Sequence, residues 1–248
     1  MYPPFTTELG GFFDKPMTDT AYDINLMSMS SDYRIDRLED PFEMFAMQSV
    51  AFSLGSLIGQ QEERRSDRVD GWDVSSKYYT VEDEDDFEVV EHLIGSAFVL
   101  AQVAITQAVS IVKRMHEDAG GPLWIPIGKA EIMRTAAPFH SEIGQSEISI
   151  ANVAADYYKH RYEWKAEEWA GPTYKNKTIA AAAAIGLGPT GYHNLEHALR
   201  ELQIYPDNLA PLAQLVVTWR EALADHIRAE GEKHGVSIRP RYPADDGS

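Results

Sequence analysis

His160, Arg161 and Tyr162 stand consecutively near the end of the run ANVAADYYKHRYEW (151–164). Histidine exchanges a proton near neutral pH, which suits it to general acid or base work. Arginine presents a fixed fork of donors to an anion. Tyr157, Tyr158, Trp164 and Trp169 add an aromatic stripe, and Lys159, Lys165, Lys175 and Lys177 make the stretch locally basic. Such a mixture can stack bases and meet phosphate. It can equally be a buried aromatic junction whose cations pair with Glu163, Glu167 and Glu168 on the same helix.

Other spacings offer less. His193 and His197 with Glu196 have the i, i+4 separation of a metal pair but no evident third ligand. Arg134…His140, Arg220…His226 and Arg228…His234 repeat an Arg-x5-His spacing that a chain with eight histidines produces by chance. The acidic run EDEDD (82–86) suits the positive end of a helix dipole better than a metal. GLGPTG (186–191) is glycine-rich, but no strand precedes it as a phosphate loop requires. HExxH, GxGxxG, GxxxxGK[ST] and GxSxG are all absent, and no long helix carries an ExxH pair. The expectation is no cofactor and no metal.

The 155–162 stretch resembles the Arg-x4-His-x-Tyr signature of HEPN-type toxin ribonucleases. His160 and Tyr162 match its last two elements, Asp156 follows the arginine position, and Ala155 stands where the arginine should be. The motif spans 155–162, and the order of helices extends the resemblance to about 40–168. It implies a helical bundle that often dimerises and cuts RNA without a metal, of the bacterial toxin or phage-defence kind. In that family a tyrosine two residues past the histidine is, in one branch, the target of an AMP-adding partner. Carried over, His160 is the proton-transfer residue, Tyr162 its neighbour in the groove, and Arg161 the imperfect stand-in for the missing arginine. Losing one charge-stabilising donor costs about 10²–10³ in rate. The implied protein is therefore a weakened ribonuclease or a relative that no longer cleaves, with RNA and a second copy as its partners.

The elements that must position these residues read as all-α: about four long helices with a small inserted helical pair. An irregular arm (1–38) rich in Phe and Tyr precedes a helical domain (39–235), and a tail (236–248) follows. The aromatics predict an arm that packs on the body or on a partner. Asp40-Pro41 opens a helix with Phe42, Phe45, Val50, Leu54, Leu57 and Ile58 as its apolar face, ended in solvent by the charged run 60–68. The strongest periodicity, Phe87, Val90, Ile94, Phe98, Ala101, Ile105, Val109, Val112 and Met115, predicts a helix over 83–116. A third helical region starts near Ile127, breaks at Pro138 and resumes over 141–168. The pair at 177–203 and a last helix over 209–230, with Leu212, Leu215, Val216, Trp219, Leu223 and Ile227 inward, complete the set.

Composition narrows the function further. Lys+Arg 22 against Asp+Glu 39 gives −17, so most of the surface repels nucleic acid. Without cysteine there are no disulfides, which fits a reducing, cytoplasmic setting. The stretch MYPPFTTELGG lacks the basic and apolar regions of a signal peptide, and no uninterrupted apolar run approaches the roughly 18 residues of a membrane span. Two further readings follow. A non-enzymatic helical subunit of a larger assembly accords with the aromatic arm and the incomplete motif. A helix-turn-helix DNA-binding regulator would use 177–203, where Arg200 is the one cation on the second helix.

Overall fold

The computed structural model describes residues 34–70, 81–118, 125–169, 177–189 and 193–236. The aromatic arm and the tail expected at the two ends lie almost wholly outside these residues. A helical turn over 34–38 (α1) leads into α2 (Pro41–Asp70) and α3 (Val81–Asp118). Then come α4 (Lys129–Arg134), a two-residue antiparallel pairing of β1 (Phe139–His140) with β2 (Gln145–Ser146), and α5 (Glu147–His160). α6 (Ala166–Trp169), α7 (Lys177–Ala184), α8 (Asn194–Glu201) and α9 (Ala210–Lys233) follow. The all-α fold class holds.

Helix α3 is the axis of the core. Val90, Ile94, Phe98, Ala101, Ile105, Val109, Val112 and Met115 are all buried, as the three-and-four spacing requires. Its neighbours are α5, α2 and α9, with α8 against its first half. Helix α9 buries Leu212, Val216, Trp219, Leu223 and Ile227, while Leu215 is only partly covered. The pair α7–α8 rests on α5 and, through α8, on α3, burying Ile179, Ala182, Leu195, Ala198 and Leu199.

Three expectations require correction. Helix α2 does not stop at its charged run but continues to Asp70, because Gln, Glu and Arg are themselves good helix formers. Its inward face is Met47, Ala51 and Ile58, whereas Phe45, Val50 and Leu57 point outward. The segment expected to be helical over 141–168 begins only at Glu147. Gly144, at φ 73°, first turns the β1–β2 pairing, and Ser146 then caps α5, its Oγ accepting the Ser149 N–H at 3.2 Å. The same helix ends at His160, not Glu168. No proline or glycine stops it there; the chain turns so that Trp164 and Trp169 fold back on Tyr157, with ring centroids 6.1 and 6.2 Å away.

The third correction concerns α3. An 18-residue window within Glu88–Asp118 has mean hydropathy 1.7, enough by length and composition to cross a membrane. Polar residues such as Gln102 break the apolar run, yet the mean over the window stays high because Ile, Val, Leu, Phe and Ala outnumber them. Of that window, 56% is buried inside the fold, as in a helix at the centre of a bundle.

Candidate functional site

The His160 corner assembles where the C-terminal end of α5 meets α3 and the start of α8. His160 is the last helical residue, its Nδ1 3.1 Å from Glu163 Oε2 and its ring stacked on Trp164. Arg161 turns the other way. It donates from one terminal nitrogen to Glu91 Oε2 at 3.2 Å and from the other to the Tyr162 hydroxyl at 2.9 Å. Its guanidinium lies over the Tyr158 and Tyr162 rings. Tyr162 is 75% exposed and past the end of the helix. Arg161 and Tyr162 are thus together, while the partners of His160 are a carboxylate and an indole.

Ala155, at the position of the missing arginine, has no exposure at all. It faces the core of the bundle, so a guanidinium there could not share a solvent groove with His160. Asp156 accepts from Gln102 at 2.8 Å and pairs with Lys159 at 3.0 Å. Lys159 and Arg161 are therefore held in ion pairs, although with Asp156 and Glu91 rather than with the expected glutamates further along.

Glu91 is the polar centre of this corner. Its side chain is almost fully buried, bracketed by Arg161 and by the Leu195 backbone N–H, which donates to Oε1 at 3.2 Å. A carboxylate from α3 thereby closes the N-terminus of α8. Burial pushes its pKa up; the Leu195 hydrogen bond and the Arg161 charge oppose that shift. Beside it the buried Tyr157 hydroxyl donates to the Gly188 carbonyl and accepts from Asn194, and burial raises its pKa too. These contacts tie the α7–α8 pair to α5.

Several of the remaining candidates sit in structural pairs. His193 meets Glu196 and His197 meets Glu201, each with its own carboxylate. His140 pairs with Glu147. Arg220 is buried and donates to the Leu38 and Arg37 carbonyls, closing α1. Arg228 holds Glu39 and Asp225. Arg200 is exposed on α8, whose other face is buried in the bundle.

A second candidate lies between the first half of α2 and the start of α9. The two helices run antiparallel: Gly55 faces Leu209, Gln48 donates to Gln214 at 3.0 Å, and α1 meets Arg220. Between them opens a shallow cavity of about 740 Å³, lined by Phe45, Gln48, Ser49, Phe52, Pro211 and Gln214 among others. Phe45 is 67% and Phe52 66% exposed. Seven residues apart, they stand on one stripe of the helix. No charged residue occurs from Met44 to Gln61, nor from Asn208 to Trp219. Helical spacing groups Phe45 with the core-facing residues and leaves Phe52 out. The signal that finds them is the 18-residue uncharged run, too apolar on every side for one face to be the core face alone.

The chain matches no protein-family model, no curated protein and no solved structure.

Proposed function

We propose that the protein is a non-enzymatic helical subunit that docks another protein surface through the α2–α9 face. The observation that carries this reading is the pair Phe45 and Phe52, two thirds exposed over a cavity whose lining contains no charge. Soluble surfaces rarely leave two neighbouring phenyl rings in water, and interface cores are depleted of charge and enriched in aromatics. The His160 corner supports the same conclusion from the other side, since Arg161 is bound to Glu91 and Ala155 is buried.

A second reading, a metal-independent ribonuclease resembling HEPN domains, rests on His160 and Tyr162 both reaching solvent at the end of α5. Induced expression separates the two. For a docking subunit, cells making wild type or His160→Ala grow alike and keep intact RNA. Growth arrest with RNA fragments from wild type alone would sink the subunit reading and establish cleavage through His160.

A further inference from the structure

We infer that the occupant of the α2–α9 face is a second copy of this chain, related by a two-fold axis that passes α2 close to Ser49. The inference rests on the docking reading above and adds the identity of the partner. Charge is the first argument. At −17 the chain repels its own copy over most of its surface. The α2–α9 face is one on which two copies can meet without burying carboxylate against carboxylate, because its lining is Phe, Gln, Ser, Asn, Ala and Pro only.

Symmetry is the second argument. A two-fold contact requires a patch complementary to itself. Phe45 and Phe52 lie seven residues, or about 10 Å, apart along α2. Ser49 is exposed midway between them, and Gln48 beside it reaches across to Gln214. When α2 lies antiparallel on its copy about that midpoint, Phe45 of each chain meets Phe52 of the other, and each ring enters the cavity beside Pro211 and Gln214. The small hydroxyl side chains Ser49 and Ser53 let the helices approach there.

Size is the third. Two thirds of each phenyl amounts to about 200–330 Å² of apolar surface per protomer. That is roughly a third of the ~800 Å² a stable interface takes from each partner. The first turn of α9, with Ala210, Pro211 and Gln214, lines the same face.

The test uses the full chain. Light scattering should give twice the 27.8 kDa chain mass for wild type and the single mass for the double variant Phe45→Glu, Phe52→Glu, with helical circular dichroism retained. Because the chain has no cysteine, Ser49→Cys reports on the axis without depending on destabilising substitutions. Oxidation should link two copies into one covalent dimer, whereas Ser110→Cys on the outer side of α3 should not. A wild type that is monomeric at every concentration overturns the second-copy inference. If that monomer still binds another protein, and the binding is lost in the double variant, the docking reading survives the loss. A dimer that persists in the double variant, with Ser49→Cys failing to cross-link, overturns the docking face and the inference together.

Discussion

Arg161 and Glu91 show how much of a candidate catalytic residue can be structural. Both side chains are nearly buried, and the Arg161 Nε is enclosed without a hydrogen-bond partner. Arg161→Ala would strand the Glu91 carboxylate among Tyr157, Leu195 and the α3–α5 seam, with only backbone N–H donors left to it. Breaking a buried pair from one side costs about 3 kcal/mol or more, and chemical denaturation at neutral pH should show a loss of that size. The pH dependence has a definite sign. Because burial raises the Glu91 pKa, the folded chain takes up that proton at a higher pH than the unfolded chain. Its stabilising contribution is therefore full below the unfolded value of about 4.3 and fades as pH rises through the raised folded value. Wild type should lose stability relative to Glu91→Gln over that rise; a relative gain would mean that the ion pair outweighs burial. Glu91 was legible in principle, being seven residues before Phe98 on the buried face of α3. What the sequence could not show is that the residue answering it would be Arg161, seventy positions away.

At the scale of elements, two glycines set how closely the helices approach. A Cβ on Gly95 of α3 would stand 2.2 Å from the Tyr158 ring of α5. A Cβ on Gly55 of α2 would stand 2.8 Å from the Leu209 backbone nitrogen and 3.0 Å from the Asp207 carbonyl oxygen. Alanine gains up to about 1 kcal/mol of helix propensity over glycine at either site, while overpacking costs about 1–3 kcal/mol. At Gly95 the Tyr158 ring must swing away from its 2.9 Å contact with His92. At Gly55 the whole turn before α9 must move. Both alanine variants should be less stable than wild type, Gly55→Ala the more so, and its effect should extend to Phe52 and Gln214 because the cavity shares that turn. Equal or greater stability in urea melts would contradict the contact geometry. Helices α3 and α9 were readable because each has one apolar face and one wet face, so periodicity and burial coincide. Helix α2 misled because Phe45, Val50 and Leu57 are apolar on the side away from the core. The end of α5 was unreadable for a different reason: the residues after His160 are helix-compatible, and the packing of Trp164 and Trp169 on Tyr157 overrides their propensity.

For the whole molecule, the decisive property is an acidic surface interrupted by a charge-free face. The two charge balances lead to opposite responses to salt. Association through the α2–α9 face gains from burying phenyl surface, a term that ordinary salt leaves nearly intact, and loses from repulsion between two bodies of −17 each. Raising ionic strength from about 0.01 M to about 0.15 M shortens the Debye length from about 30 Å to about 8 Å and removes most of that repulsion. The self-dissociation constant, followed by sedimentation, should therefore fall as salt rises. Binding to RNA through the Lys159–Lys177 stretch would respond the other way, because affinity that comes from counterion release weakens steeply with salt. An association that tightens with salt and disappears in Phe45→Glu, Phe52→Glu belongs to the neutral helix face. One that weakens with salt and ignores those substitutions would move the functional surface back to the basic stretch around His160.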